Sequence, residues 1–346
     1  MKLALTLLPA ALAVAGAFST HALAQEVAAP APAAGLSASE ASDAKERMET
    51  VTVSARRREE RLQDVPLAVT AFSAKALERA NIQNLADLQE RVPNLTVYAS
   101  RGTNTTLTAF IRGVGQADPV WGVDPGVGIY FDDVYMARPQ GALLDVFDVQ
   151  RIEVLRGPQG TLYGKNTIGG AIKYISRPLA KENGGSAEVG LGNYNQRNFK
   201  AAFNVANENG TWRARLAAAK LDRDGFGRNT YNGEQVSDQD STAARLSVGY
   251  FPQDIPLTVV LSLDATDDKS GVRGFQRMGV SAFDPLKRPP STDAYDIQSG
   301  MPGNNFTHNR GGSLVANYTV SNDWSVKVIG AKRRSTSEQT IDFDGL

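Results

Sequence analysis

The chain has 346 residues, 42% of them hydrophobic and 21% charged, so it is long enough for one large or two ordinary domains and too apolar for wholesale disorder. Its 37 lysines and arginines balance its 37 aspartates and glutamates, which gives no reason to expect nucleic acid as a partner. It contains no cysteine and only two histidines, His21 and His308, so metal sites and proton-transfer catalysis built on these side chains are close to excluded, and we expect no metal, no cofactor and no enzyme.

Residues 1–24 have the pattern of a secretory signal peptide. A lysine precedes an apolar run over residues 3–18, and residues 22–24 form a small-x-small cleavage site. A membrane-anchoring helix fits less well, because the run is short and contains Pro9. Residues 25–48 are rich in Ala, Pro, Ser and Glu and predict a flexible tether.

The stretch METVTVSARRREERLQDVP follows the predicted tether. Residues 48–53 carry β-forming side chains, whereas residues 56–61 are a run of charges. An isolated strand beside a charged run cannot bury itself, and its backbone donors and acceptors remain open to another strand. We therefore expect residues 49–55 to be available for pairing with another protein.

Residues 56–178 have the pattern of a mixed α/β globule. Apolar side chains recur at helical spacing from Ala76 to Val92, and Pro93 with Asn94 predicts the end of that helix. Short apolar runs separated by Gly and Pro then predict strands. The predicted strands are residues 106–115, 127–136, 152–157 and 171–176.

The glycine-rich stretch LRGPQGTLYGKNTIGGAI, residues 155–172, raises the possibility of a phosphate-binding loop. Such a loop needs a glycine ahead of its Gly-Lys pair and a Ser or Thr after the lysine, and this chain has Gln159 and Asn166 there. A nucleotide site is therefore disfavoured. We expect these glycines to occupy turns with positive φ or positions of close backbone approach.

From residue 179 onward the pattern changes to strict alternation of apolar and polar side chains. Each alternating run is about ten residues long, the length of a tilted strand that crosses a bilayer. A soluble β-sandwich would also alternate, but we would expect its strands to be shorter. The alternating apolar side chains that mark these runs lie within residues 187–191, 199–205, 212–218, 244–250, 257–263, 314–318 and 324–328.

The connections between these runs alternate in length. Residues 207–210, 252–255 and 321–323 are tight turns, whereas residues 222–240 and 267–310 are long and polar. Short turns on one side and long loops on the other are typical of outer-membrane barrels. We expect an interfacial row of aromatic side chains next to the short turns, formed by Trp212, Tyr250, Tyr318 and Trp324.

In these features the chain resembles the TonB-dependent outer-membrane receptors from residue 49 to its end. Residues 64–66 (DVP), 111–113 (IRG) and 152–172 are similar to signatures of the family's plug domain, and the last is long enough to be specific. Residues 49–55 look like the TonB box, which would be weak evidence alone but is strong between a tether and a plug. The residues that match the box are Glu49, Thr50, Val51, Thr52, Val53, Ser54 and Ala55; those that match the plug signatures are Arg112, Gly113, Arg156, Gly157, Pro158, Gly160, Tyr163, Gly164, Gly169 and Gly170.

The resemblance implies an α+β plug domain followed by antiparallel transmembrane β-barrel strands, about seven of an expected 22. It divides the chain into a signal peptide (1–24), a tether (25–48), the box (49–55), a plug (56–178) and an incomplete barrel (179–346). It also implies that Arg112, Arg156 and Lys165 pair with carboxylates lining the barrel lumen. We expect the chain to be the amino-terminal part of a receptor, since residues 342–346 lack the aromatic terminal strand of the family. A truncated, non-functional product is the alternative.

The resemblance further implies active transport of a scarce ligand across the outer membrane, with that membrane's lipid around the barrel. Energy would come from the inner-membrane proton-motive force through TonB, with ExbB and ExbD, and the box would add a strand to TonB. A passive porin is disfavoured by the box and the plug, and a signalling role by the shortness of residues 25–48. A ferric siderophore is the default ligand by family frequency, with vitamin B12, haem or an oligosaccharide as alternatives. Weak candidates for ligand contacts are Asp118, Trp121, Asp124 and Phe275, together with Phe283 and Tyr295.

Overall fold

The structure is a computed structural model that describes residues 51–120, 122–301, 303 and 305–343. The predicted signal peptide (1–24) and tether (25–48) lie outside the described residues. So do Glu49 and Thr50 of the predicted box and the candidate ligand residue Trp121.

The amino-terminal half of the described chain is an α+β domain, which we call the plug. Its strands are β1 (Thr52–Val53), β2 (Glu60–Arg61), β3 (Val69–Ser73), β4 (Leu95–Ala99), β5 (Leu107–Ile111), β6 (Val114–Gly115), β7 (Val127–Phe131), β8 (Val134–Tyr135), β9 (Val149–Arg156) and β10 (Gly170–Ser176). Its α-helices are α1 (Ala74–Arg79) and α2 (Gly160–Tyr163), and its 3-10 helices are Leu62–Asp64 and Leu85–Glu90.

A five-stranded sheet in the order β3-β9-β10-β7-β8 forms the centre of the plug. Strands β10 and β7 are parallel, whereas the other neighbouring pairs are antiparallel. Side chains alternate between the two faces of this sheet, as strand geometry requires. Ile152, Val154 and Ile172 join the large apolar cluster on one face, whereas Leu155 and Ala171 join a smaller cluster on the other. Two of the four predicted strands, 152–157 and 171–176, are confirmed as β9 and β10. The predictions for 106–115 and 127–136 are wrong in that each range is divided by a turn into two antiparallel strands, β5–β6 and β7–β8.

The prediction of one continuous helix from Ala76 to Val92 is wrong, because the segment forms two short helices. The chain forms α1, leaves the helix at Asn81 with φ of 51°, and starts the Leu85–Glu90 3-10 helix. Asn84 caps that second helix in a reciprocal capping box with Asp87. Local capping therefore divides a segment whose apolar spacing alone is compatible with one helix.

The glycines of residues 155–172 serve the backbone, as expected. Gly164 ends α2 with φ of 93°, a conformation that side-chain-bearing residues rarely adopt. A Cβ on Gly170 would lie 2.2 Å from the Leu155 carbonyl oxygen, closer than packed atoms tolerate. The stretch therefore packs as a tight turn against neighbouring strands.

The carboxy-terminal half of the described chain is a seven-stranded antiparallel sheet in the order β11-β12-β13-β16-β17-β18-β19. All seven predicted runs are confirmed as strands, and each pairs with the next along the sheet. The strands are β11 (Gly184–Gly192), β12 (Gln196–Ala206), β13 (Trp212–Arg223), β16 (Gln239–Tyr250), β17 (Leu257–Asp268), β18 (Asn305–Thr319) and β19 (Ser325–Gln339); the short strands β14 (Gly227–Arg228) and β15 (Gln235–Val236) form a hairpin in one long loop.

The two faces of this sheet meet different surroundings. Apolar side chains such as Phe203 and Leu216 point outward and are more than half exposed. Arg245 on the opposite face is buried, and its guanidinium lies 4.3 Å from the centre of the plug's Phe131 ring. A continuous exposed apolar surface is typical of contact with lipid. The predicted fold class, a plug followed by barrel strands, is confirmed.

The connections agree with the predicted pattern, with one difference. Short turns join strands at one end of the sheet, and the long loops lie at the other end. The β11–β12 connection at the long-loop end is nevertheless only residues 193–195. Aromatic side chains mark the short-turn end as expected, and the rings of Trp212 and Tyr250 lie 4.8 Å apart on neighbouring strands. Among the residues described, no helix is long and apolar enough to cross a membrane.

Candidate functional site

The described part of the predicted box, Val51–Ala55, is packed onto the plug, and we call it the box segment. Strand β1 pairs with β2, and the Leu62 N–H donates to the Val51 carbonyl oxygen (2.9 Å). Val53 and Ala55 are fully buried in the smaller apolar cluster. The expectation of an unburied, unpaired strand is therefore wrong, because the chain folds back at residues 54–57 and supplies its own partner strand.

Ser54 is the most densely bonded residue of the box segment. Its N–H donates to Glu153 Oε1 (2.8 Å), and its carbonyl oxygen accepts from Lys173 Nζ (2.9 Å). Its hydroxyl accepts a second hydrogen bond from Lys173 (2.6 Å) and donates to Glu153 (3.3 Å). Glu153 and Lys173 lie on adjacent positions of β9 and β10, so the sheet presents an acceptor and a donor to one serine.

Tyr163 of α2 covers the same part of the box segment. Its hydroxyl lies 2.8 Å from the Ala55 carbonyl oxygen and 3.3 Å from that of Ser54. The Arg57 guanidinium lies 4.3 Å from the centre of the Tyr163 ring, a cation–π contact. Burial raises the pKa of Tyr163 and keeps its hydroxyl a donor. This plug-signature residue therefore contacts the box segment directly.

The charged groups below the box segment continue to the barrel strands. Lys173 Nζ lies 3.1 Å from Asp133 Oδ1, and Lys327 of β19 donates to Asp133 Oδ2 (2.6 Å). Burial would raise the pKa of Asp133, but the ammonium groups of Lys173 and Lys327 outweigh it and lower that pKa to about 2. Burial lowers the pKa of Lys173, against the attraction of Asp133 and Glu153. Asp133 thus remains a carboxylate between a plug lysine and a barrel lysine.

Among the described residues, the three plug cations expected to pair with lumen carboxylates do not contact a carboxylate of the barrel strands. Lys165 pairs with Asp124 of the plug itself (2.7 Å), and neither Arg112 nor Arg156 lies within ion-pair distance of a described carboxylate. The observed pairs have the opposite arrangement, with the cation on the barrel. Arg215 of β13 binds the plug's Asp148 at 2.5 Å, as Lys327 binds Asp133.

The remaining signature residues form turns. Arg112 and Gly113 connect β5 and β6, and both have positive φ. Gly157 follows β9, and its N–H donates to the Gly169 carbonyl oxygen (3.0 Å), which closes the glycine-rich loop. Pro158 lies within this loop and Gly160 opens α2.

Two candidate ligand residues, Asp118 and Phe275, are connected through Arg101 and Phe343. Asp118 forms an ion pair with Arg101, whose guanidinium lies 5.6 Å from the Phe343 ring centre. Phe343 stacks on Phe275 at 5.8 Å. Beside them lies a cavity of about 320 Å³, lined by Gly102 and Phe275 among others.

The other candidates lie apart from this cluster. Asp124 is engaged by Lys165, and hydrogen bonding to that ammonium lowers the pKa of Asp124. Tyr295 packs on Phe226 at 5.2 Å, and Phe283 is 90% exposed. Within the described ranges, no group of three or more His, Cys, Asp or Glu side chains could hold a metal ion.

The sequence reasoning missed the residues that bind the box segment. The available signal for Lys173 and Glu153 was a charge in the middle of a short apolar strand, where charged side chains are rarely buried without a partner. For Arg215 and Lys327 the signal was a charge at an inward position of an alternating strand. Neither signal identifies the partner.

Comparison with known sequences agrees with this architecture. A family model described as TonB-dependent Receptor Plug Domain matches residues 61–171 and so begins after the box segment. The vitamin B12 transporter BtuB of Vibrio vulnificus (strain CMCP6) is 32% identical over 168 residues, covering 46% of this chain and 26% of BtuB. The pesticin receptor of Yersinia enterocolitica is 31% identical over 137 residues, covering 40% of this chain and 20% of the receptor.

Solved structures share the fold. The ferric yersiniabactin uptake receptor FyuA of Yersinia pestis superposes with a TM-score of 0.68 at 22% identity, covering 78% of this chain and 41% of FyuA. The pyoverdine outer membrane receptor FpvA of Pseudomonas aeruginosa PAO1 gives 0.66 at 18% identity, covering 83% and 40%. The chain spans at most 26% of these curated relatives' length and about two fifths of the structures. Residues 61–171 therefore match the plug domain of TonB-dependent receptors, and the plug with the sheet that follows it is similar in fold to outer-membrane uptake receptors.

Proposed function

We propose that the chain supplies the plug (56–178) and the first barrel strands (from 179) of a receptor that imports a scarce ligand across the outer membrane. One observation carries the proposal. The box segment precedes the plug and lies against it at the short-turn end, where Asp133 contacts Lys327 near the start of β19. That end faces the periplasm in outer-membrane barrels, which supports the proposal that an inner-membrane protein reaches the segment.

The energy for import comes, in this proposal, from the proton-motive force through TonB, ExbB and ExbD. The outer membrane has neither ATP nor a sustained ion gradient of its own. An extended backbone segment with β-forming side chains can add a strand to a partner sheet. Force applied to residues 49–55 would then be transmitted to the plug through Ser54 and its partners on β9 and β10.

For the ligand we propose a ferric siderophore complex. FyuA and FpvA, which share the fold, are named for ferric yersiniabactin uptake and for pyoverdine. The group formed by Asp118, Arg101, Phe343 and Phe275 combines a guanidinium with two stacked rings, a combination that suits an anionic chelate with flat groups. Vitamin B12 is the competing ligand, because the curated relatives include the B12 transporter BtuB.

A catalytic role forms no part of this proposal. Ion pairs and buried hydrogen bonds in the plug hold elements of the chain together, and the family consists of transport receptors. A passive porin would take up ligand without the proton-motive force, so uptake with and without an uncoupler separates the two.

The TonB step is tested with Val51→Pro in the receptor that contains this chain, with Val51→Ala as the matched control. Proline removes a backbone donor needed for strand pairing but keeps the carbonyl that accepts from Leu62. We expect Val51→Pro to lose energised uptake and cross-linking to TonB, while ligand binding at the cell surface persists. Equal uptake by both variants would contradict the proposal.

The ligand is tested by growth. Cells with this receptor as their sole outer-membrane transporter of its class should grow under iron limitation on at least one added ferric siderophore. Growth that depends instead on added vitamin B12 would assign the competing ligand.

An immunoblot of the outer-membrane fraction with an antibody to the plug tests whether a complete barrel accompanies this chain. A product about twice the mass of this chain supports the proposal, because barrels of this class have about 22 strands. A product no larger than the chain would withdraw the transport role from it.

A further inference from the structure

Lys173 occupies an unusual place for a lysine. It lies in the middle of β10, between Ile172 and Tyr174 of the large apolar cluster, and it is only 1% exposed. Lysines are almost never fully buried unless they are paired, because removing an ammonium from water is costly. The acceptors around this ammonium therefore decide whether the position is stable.

Half of the acceptors come from a single residue of the box segment. An ammonium has three donors, and Lys173 Nζ reaches both the carbonyl (2.9 Å) and the hydroxyl oxygen (2.6 Å) of Ser54. The protein otherwise offers Asp133 at 3.1 Å and Glu153 at 3.9 Å. If the box segment left the plug, Lys173 would lose its two shortest contacts.

The same departure would leave Glu153 short of donors. Glu153 is fully buried and accepts from the Ser54 N–H, the Ser54 hydroxyl and Arg151 Nε (2.7 Å). Charge-assisted hydrogen bonds are about twice as strong as neutral ones, so these contacts outweigh the ordinary β1–β2 hairpin bonds. The strongest attachment of the box segment is therefore to the charges of the plug sheet, rather than to its own hairpin.

The Tyr163 contacts do not provide an equivalent attachment. They are neutral hydrogen bonds to two carbonyl oxygens from a hydroxyl that has a single proton. Asp133, by contrast, steadies Lys173 from the other side and is itself held by Lys327 of β19. The ammonium of Lys173 thus joins the box segment to a plug carboxylate that is itself bound by a lysine of the barrel strand β19.

We propose that Lys173 is a positioning residue that holds the box segment in its docked place by binding Ser54, and so sets how readily the segment becomes available to a partner. The inference rests on the proposed function for the identity of that partner. The docking itself requires no partner and is tested without one.

The test is hydrogen exchange, followed by mass spectrometry, on the purified chain in detergent micelles. In the docked segment the Ser54 N–H donates to Glu153, and the Leu62 N–H donates to Val51. We expect Lys173→Met to raise exchange of residues 51–62 by about tenfold or more, because it removes two charged hydrogen bonds. Exchange of β9, which lies in the same sheet, should stay within about twofold, since its apolar contacts are unchanged.

The matched control is Lys165→Met, the same substitution at an exposed lysine of the plug that does not contact the box segment. It should leave exchange of residues 51–62 unchanged. If Lys173→Met behaves like Lys165→Met, the segment is held by the apolar contacts of Val53 and Ala55, and the proposal is overturned.

A second variant covers the case in which Lys173→Met loosens the whole plug and β9 exchanges faster as well. Ser54→Ala removes the hydroxyl contacts and leaves the plug sheet intact. It should raise exchange of residues 51–62 by about threefold while β9 stays protected. No change in Ser54→Ala would then overturn the proposal. Neither result depends on TonB, so failure here is distinct from failure of the transport role.

Discussion

The two faces of the plug sheet are built from the same strands but are held by different forces. One face carries Ile152, Val154 and Ile172 and belongs to the large apolar cluster with α1 and β4–β5. The other face carries Glu153 and Lys173 beside Leu155 and Ala171, and it is covered by the box segment and α2. Alternation along β9 and β10 therefore separates a face in the large apolar cluster from a face that the box segment covers.

The difference in force explains the difference in role. Burying a large apolar side chain contributes about 1.5–3 kcal/mol. This free energy is lost when the side chain is exposed, because water does not replace apolar contacts. Charged hydrogen bonds also contribute about 1.5–3 kcal/mol each, but water can replace them once the segment leaves. The box segment is thus bound firmly to the charged face, yet exposing that face costs less free energy than exposing the apolar face.

The largest expected effect comes from the apolar face. Ile152→Ala removes a fully buried side chain from the centre of β9 and should lower the free energy of unfolding by about 2–4 kcal/mol. A urea titration monitored by circular dichroism measures this change in the free energy of unfolding. A loss below about 1 kcal/mol would mean that this face is not the stable core of the plug.

The second-largest effect is expected from acid, which should weaken the ion pairs of the charged face. The pKa of Asp133 is about 2, below its value in an unfolded chain, so the carboxylate stabilises the fold above about pH 4 and this contribution is lost as the pH falls towards 2. Lys173, Lys327 and Arg57 are the cations that face it. We expect a loss of about 2 kcal/mol between pH 5 and pH 2 that is absent from Asp133→Asn. Identical pH dependence in both proteins would assign the loss to other carboxylates.

A smaller effect is expected from Tyr163→Phe, which keeps the ring and removes only the hydroxyl that contacts Ala55 and Ser54. The cost should be about 1 kcal/mol, and trypsin should then cleave after Arg56–Arg58 several times faster. Faster cleavage elsewhere in the plug at the same time would show that the hydroxyl supports the whole domain rather than the box segment.

The smallest effect is expected from Lys165→Met. Lys165 is 81% exposed, and its ion pair with Asp124 lies at the surface. Solvent screens such surface pairs almost completely, so the midpoint of urea unfolding should hardly move. A loss comparable to that of Tyr163→Phe would remove the distinction between buried and exposed charges on which the comparison depends.

The sequence predicts features that depend on local order and misses those that depend on distant partners. The seven barrel strands follow from period-2 alternation, which each strand carries by itself. The burial of the box segment depends on Glu153 and Lys173, which are 99 and 119 positions away from Ser54. The barrel-to-plug pairs join residues 67 and 194 positions apart, so the sequence shows their charges without their partners.

One measurement tests the central claim, that the box segment is docked on the plug and is the part a TonB partner removes. The chain has no cysteine, so Val53→Cys provides a single thiol at a fully buried position of the segment, and Leu85→Cys provides a matched thiol in the large apolar cluster. We predict slow alkylation of both, and faster alkylation of Val53→Cys alone when the periplasmic domain of TonB is added. Fast alkylation of Val53→Cys without TonB, or no change at saturating TonB, would contradict the account.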